Sequence, residues 1–180
     1  MKKIQIYYIS IEGNTEHFLK VMAKVFQNIE LHRITDQSDL IPINTPFFCF
    51  IPTYVKGTQD NPQHREQQPG ENFGIQEIDT LTMNDELQFH NNYQNCLGLI
   101  GSGNRNFGED CYCWTALHYH RKYQIPVIDD FELRGTSNDE NRINNKIAKV
   151  WNQSTNEHIH SSSHRMTNPR LAKLERKYNH

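Results

Sequence analysis

Ser10-Ile-Glu-Gly-Asn-Thr15, within MKKIQIYYISIEGNTEHFLK (residues 1–20), is the stretch on which the fold turns. Ahead of it, Lys3 to Ile9 is rich in Ile and Tyr and reads as a buried strand. Behind it, Phe18, Val21, Met22, Val25 and Phe26 recur at helical spacing between Thr15 and Gln27, with Asn14 or Thr15 as the expected N-cap. A strand that passes through a short polar turn into an amphipathic helix is the opening of a βαβ unit.

The same alternation continues outward. Leu31 to Ile34 reads as a short strand. Pro46-Phe-Phe-Cys-Phe-Ile-Pro52 and Cys96-Leu-Gly-Leu-Ile-Gly101 are unbroken apolar runs, as expected of strands covered on both faces. Pro126 to Phe131 supplies a fifth. Between them, helical patterns cover Asp79 to Tyr93, Glu109 to Tyr123 and Asp139 to Trp151, the last opened by a capping-box spacing, Ser137-x-x-Glu140. Alternating strands and helices imply right-handed crossovers and a parallel sheet. Five strands fit an α/β, flavodoxin-like sheet of order 2-1-3-4-5, with helices on both faces, better than a six-strand dinucleotide fold. Residues 1–151 are expected to form this domain. Residues 55–76 form a long polar insertion, expected to be a surface flap over the ligand site. Residues 152–180 are a polar tail with a short basic helix at 169–178.

Composition narrows the function. The 180 residues carry a formal charge of −2, and the mean hydropathy is −0.81. Such a chain offers no broad field for nucleic acid or an anionic membrane. No apolar run approaches the ~20 residues of a membrane span, and the first residues lack a signal-peptide apolar region. Cys49, Cys96, Cys111 and Cys113 have neither disulfide-framework nor C-x-x-C spacing. A reducing, cytoplasmic setting is expected.

In an open parallel sheet, ligands bind beyond the carboxyl ends of strands where the order reverses. That selects three loops. In the first, Gly13 permits a tight turn, the helix start presents N–H groups, and Ser10, Asn14 and Thr15 add side-chain donors. It holds no Lys, and G-x-x-x-x-G-K-[ST] is absent, so a monophosphate suits it better than a triphosphate. Taken alone, the loop also reads as an ordinary capped turn. The third strand ends in Thr53, Tyr54 and Val55. The fourth leads into Gly101-Ser-Gly-Asn-Arg-Asn-Phe-Gly108, where Ser102, Gly103, Asn104 and Gly108 let backbone approach a flat ligand, and Phe107 offers a stacking face. Together with Ile11 and Glu12 of the first loop, these residues make an FMN site the favoured reading. The chemistry would then lie on the cofactor, with no catalytic side chain.

S-x-E-G-N-T at Ser10 to Thr15, G-S-G-N-R-N-F-G-E at Gly101 to Glu109 and F-E-L-R-G-T-S-N-D at Phe131 to Asp139 resemble the NrdI family over residues 3–151. The resemblance implies a flavodoxin-like FMN protein serving class Ib ribonucleotide reductase. Its reduced flavin would react with O2 to supply superoxide or peroxide to the dimanganese-tyrosyl radical site of the small subunit. A separate flavin-reducing partner is implied, and the protein would be an accessory redox protein, not itself a reductase of ribonucleotides. The insertion and the tail depart from compact family members, and Asn72-Phe73-Gly74 would correspond to a motif that lies nearer the strand end in some of them. The rival readings are a general electron-transfer flavodoxin and a flavin-free paralogue acting as a binding protein. The near-neutral charge speaks against the first.

Lys56 and Arg105, partly offset by Glu109 and Asp110, are expected to flank the ring and to favour its anionic, fully reduced form. His158, His160 and His164 are assigned to a polar tail rather than a metal site. Cys111 and Cys113 are assigned to the core or its boundary.

Overall fold

The computed structural model describes residues 2–55, 80–109 and 111–156. Strands β1 (Ile4–Tyr8), β2 (Ile29–Arg33), β3 (Phe47–Pro52), β4 (Cys96–Gly103) and β5 (Val127–Glu132) alternate with helices α1 (Asn14–Val25), α2 (Leu81–Gln88), α3 (Trp114–Tyr123) and α4 (Ser137–Asn156). The strands pair in parallel in the order β2-β1-β3-β4-β5. This is the flavodoxin-like arrangement expected from the sequence.

Side chains alternate across each strand and so feed two cores. Ile4, Ile6, Tyr8, Phe48 and Phe50 pack against Phe18, Leu19 and Met22 of α1 and Ile143, Ile147 and Trp151 of α4. On the opposite face, Tyr7, Ile9, Phe47, Cys49 and Ile51 meet Met83 and Leu87 of α2 and Leu117 and Tyr119 of α3. Every residue of β3 is buried. A strand covered on both sides has no polar face to offer, which explains the unbroken run FFCFIP. Each fully buried aromatic or aliphatic side chain contributes roughly 1.5–3 kcal/mol from removal of apolar surface. Among the described residues no helix is long and apolar enough to cross a membrane.

Several boundaries differ from the sequence expectation, each for a physical reason. Gly13, not Asn14 or Thr15, is the N-cap of α1, and it has no side chain to make the capping bond. The Ser10 hydroxyl does that work instead, accepting from the Glu16 N–H at 3.1 Å. The reciprocal cap of α4 is made by Thr136 and Asp139, one residue before the expected Ser137 and Glu140. The Asp139 carboxylate accepts from the Thr136 N–H at 2.8 Å, and the Thr136 hydroxyl accepts from the Asp139 N–H at 3.3 Å. Helix α2 stops at Gln88, because His90 and Asn91 take left-handed backbone angles in the 3-10 segment Phe89–Asn95. Helix α3 starts at Trp114 rather than Glu109, and α4 continues five residues past Trp151. Apart from Val55, nearly all of the 55–76 insertion lies outside the described residues. So does the expected helix at 169–178.

Candidate functional site

The β1–α1 loop is held from both sides. Parallel pairing sets Tyr8 beside Arg33 at the end of β2, and the Arg33 guanidinium donates to the Ser10 carbonyl at 2.8 Å. Its charge is largely compensated by Glu16, 3.3 Å away, which also pairs with Lys20. Lys20 and Arg33 accordingly hold the Glu16 carboxyl below its ordinary range, the Lys20 hydrogen bond being the larger cause. Gly13 sits at φ +82°, an angle that L side chains rarely adopt. The chain thereby turns into α1, whose first N–H groups have no intrahelical acceptor; of these the Glu16 N–H is taken by the Ser10 hydroxyl.

The ends of β3 and β4 close on this loop. The Tyr54 hydroxyl accepts from the Ile11 N–H at 2.7 Å. The hydroxyls of Thr15 and Ser102, both buried, lie 3.2 Å apart. The Thr53 N–H donates to the Ser102 carbonyl at 2.8 Å, and the Thr53 hydroxyl accepts from the Thr115 N–H at 3.1 Å. Loops separated by about forty and ninety residues in sequence thus share one patch rich in hydroxyl and N–H donors. Such a donor set suits a phosphate monoester.

The β4–α3 loop is built differently. Ser102 and Gly103 belong to β4 itself, and the loop proper begins at Asn104, whose side chain accepts from the Asn106 N–H at 2.9 Å. Arg105 is drawn into the protein. It donates to both oxygens of Glu109 at 2.9 Å, reaches Asp130 at 3.4 Å and Glu132 at 3.6 Å, and lies 3.7 Å over the Tyr112 ring. Burial opposes its charge, but Glu109, Tyr112 and Asp130 more than offset that and raise its pKa. Burial likewise pushes the Tyr112 hydroxyl far up. Phe107 is 47% exposed and is not part of the core. Gly108 has φ +99°.

A cavity of about 590 Å³ opens beside the loops, between the starts of α1 and α4. Asn14 and Arg105 line it together with Glu132, Arg134, Asp139 and Arg142. Arg142 is committed to Asp129 at 3.0 Å and to Asp139. Arg134 donates to the Asn14 side-chain carbonyl at 3.2 Å.

Of the residues singled out in the sequence, Ser10 to Thr15, Thr53, Tyr54 and Ser102 are gathered into one patch. Val55 is half-buried at the edge of the described segment, and Gly103 is tied to the β5–α4 loop through its carbonyl and the Leu133 N–H. Asn104, Phe107 and Gly108 form a separate rim. Among the described residues no hydrogen bond joins that rim to the β1–α1 loop. Arg105, expected to be partly offset by Glu109 and Asp110, is faced by Glu109 and also by Asp130 and Glu132. Lys56, Asp110, the Asn72-Phe73-Gly74 motif and the tail histidines lie outside the described residues. Arg33 was not singled out in the sequence, and Arg134 entered only as part of the Phe131 to Asp139 motif, with no role of its own. Pairing register alone would have found Arg33, and a long-range contact was needed to find Arg134.

Comparison with known proteins agrees with this fold. Residues 6–145 match the NrdI flavodoxin-like family. An NrdI-like protein of Streptococcus pyogenes is 33% identical over 175 residues, covering 94% of this chain and 99% of its own. Protein NrdI of Erwinia tasmaniensis is 29% identical over 151 residues, covering 83% and 95%. A short-chain flavodoxin associated with a non-canonical PDU bacterial microcompartment superposes with a TM-score of 0.53 at 16% identity, covering 86% of this chain and 99% of that one. The last likeness is one of fold alone. The match to the family over most of the chain is one of descent, and the chain belongs to the NrdI flavodoxin-like family.

Proposed function

We propose that this protein binds FMN across the carboxyl ends of β1, β3 and β4 and serves as the oxidant-supplying partner of a class Ib ribonucleotide reductase small subunit. The observation that carries the reading is the meeting of the three loops through Ile11–Tyr54, Thr15–Ser102 and Thr53–Ser102. The donor set fits the cofactor: hydroxyls and helix N–H groups for a phosphate, and an exposed Phe107 rim for a flat ring. Bound FMN supplies the redox chemistry, its reduced form reacting with O2 to give superoxide or peroxide for a dimanganese-tyrosyl radical site.

The chain's own residues bind, orient and shape. Ser10, Thr15 and the α1 N–H groups hold the phosphate end. Tyr54 fixes the mouth by its bond to the Ile11 N–H, which joins the first and third loops. Arg105, gripped by Glu109, Asp130 and Glu132, keeps the β4–α3 loop in place under Phe107. The cysteines among the described residues are free thiols, which supports a reducing, cytoplasmic setting where a flavin-reducing partner operates.

The test is anaerobic reduction of the FMN-loaded protein, then O2 together with the organism's own manganese-loaded small subunit. A tyrosyl radical signal supports the role, and its absence overturns it. A chain that takes up no FMN would instead be the flavin-free binding protein. A dithionite titration that stops at one electron per flavin would point to the general electron carrier.

A further inference from the structure

We propose that Arg134 supplies the positive charge for the cofactor's phosphate end that the β1–α1 loop lacks, and so makes the site prefer the phosphorylated flavin over riboflavin. The inference rests on the FMN reading above. The loop itself contains one charged residue, Glu12, and that charge is of the wrong sign.

The cations around the loop differ in how far their charge is already used. Arg33 and Lys20 share Glu16. Arg105 faces Glu109, Asp130 and Glu132. Arg142 is paired with Asp129 and Asp139, and Lys146 with Asp129. Arg134 has no carboxylate partner among the described residues. Its one hydrogen bond goes to the neutral Oδ1 of Asn14, the first residue of α1. A guanidinium can give that bond from Nε and keep its two terminal nitrogens for an anion.

Its backbone is also fixed. Leu133 (φ +51°) and Gly135 (φ +65°) flank it in left-handed conformations. The Leu133 N–H is tied to the Gly103 carbonyl at 2.9 Å and the Gly135 N–H to the Glu132 carbonyl at 2.7 Å. A Cβ on Gly135 would come within 2.4 Å of the Phe18 ring, so the turn sits directly on the core beneath α1. The turn therefore holds Arg134 at the start of that helix, where its charge adds to that of the helix dipole. Arg134 is a positioning and specificity residue for the phosphate.

The experiment measures FMN and riboflavin affinity by fluorescence quenching for wild type, Arg134→Met and Arg134→Lys, at low and high salt. Arg134→Met keeps the aliphatic stem and removes the charge. Its FMN Kd should rise roughly tenfold, as for loss of one charge-assisted contact at a partly exposed site. Riboflavin affinity should be unchanged, Arg134→Lys should recover most of the loss, and the deficit should shrink at high salt. Equal FMN affinity in wild type and Arg134→Met would overturn the proposal, as would an equal loss for FMN and riboflavin, which marks a merely structural role. Arg134→Lys behaving like Arg134→Met would overturn the charge assignment. A wild type that binds neither flavin would sink the FMN reading, and this inference with it.

Discussion

The loops after β1 and β4 both carry Gly and Asn, and both read from the sequence as ligand loops. They use those residues in opposite ways. The β1–α1 loop has its Ser10 carbonyl held by Arg33 and its Ser10 hydroxyl by the Glu16 N–H, and it leads into a helix whose first N–H groups lack intrahelical acceptors. The β4–α3 loop satisfies its polar groups within itself and from β5: Asn104 caps the Asn106 N–H, and Arg105 is gripped by three carboxylates and an aromatic ring. A donor-rich sequence can therefore make a binding loop or a self-satisfied one. The difference lies in where each polar group finds its partner.

The largest expected effect removes the grip on the second loop. Arg105→Met would take from Asp130, 1% exposed, the guanidinium that lies 3.4 Å from it. Stripping one partner from a buried ionic cluster typically costs about 3–5 kcal/mol, and the partial exposure of Arg105 brings the expectation to about 2 kcal/mol. Urea unfolding measures it. A loss indistinguishable from zero would mean that the loop holds its shape without the arginine, and the contrast between the loops would fail.

Next comes the backbone of the first loop. No atom lies within 4 Å of a Cβ built on Gly13, so only its positive φ opposes a side chain. An L residue there costs roughly 1–2 kcal/mol, and a β-branched one more. Gly13→Val should raise the FMN Kd at least about tenfold, and Gly13→Asn should do much less. Ser10→Ala removes the acceptor of the Glu16 N–H and should cost about 1 kcal/mol in stability, as lost caps do, with a smaller change in FMN affinity. If Gly13→Val binds FMN as wild type does, the phosphate is held elsewhere.

The sheet order and both cores were legible because they rest on local patterns. The run from Phe47 to Pro52 announces a doubly covered strand, and of the apolar residues read at helical spacing in α1, Phe18 and Met22 are buried, whereas Val25 is exposed and the buried Leu19 was not among them. The gathering of Ser10 to Thr15, Thr53, Tyr54 and Ser102 followed from topology once the strand ends were known. Charge was not legible in this way. Arg105 read as a cation available to a ligand because its carboxylates Asp130 and Glu132 come from a strand twenty-five and more residues away. Arg134, within the Phe131 to Asp139 motif, was given no role of its own because its contact with Asn14 spans 120 positions. The α4 cap was misread by one residue because Thr136-x-x-Asp139 and Ser137-x-x-Glu140 are chemically equivalent, and only the backbone direction after Gly135 chooses between them.

The smallest contrast is one of acid sensitivity. Glu16, beside the first loop, has its carboxyl lowered mainly by the Lys20 hydrogen bond, but it lies at the surface, where such pairs contribute little. Asp129, within β5 and beside the strand that leads into the second loop, is fully buried. Burial pushes its pKa up, but hydrogen bonds from Lys146, the Asp130 N–H and Arg142 outweigh that and hold it below the ordinary 3.8. Asp139 is opposed by burial in the same way and lowered by Thr136 and Arg142. A carboxyl depressed in the folded state is protonated first in the unfolded chain. Its contribution to stability is therefore complete above the ordinary value and is lost as pH falls through the lower, folded one. The urea midpoint should stay level from about pH 7 to 5 and drop below about pH 4. Asp129→Asn should lower the neutral plateau and flatten the acid fall, whereas Glu16→Gln should leave the fall nearly intact. If Glu16→Gln flattens it as much as Asp129→Asn does, the acid-sensitive charges sit at the first loop, and the two sides of the sheet do not differ as argued.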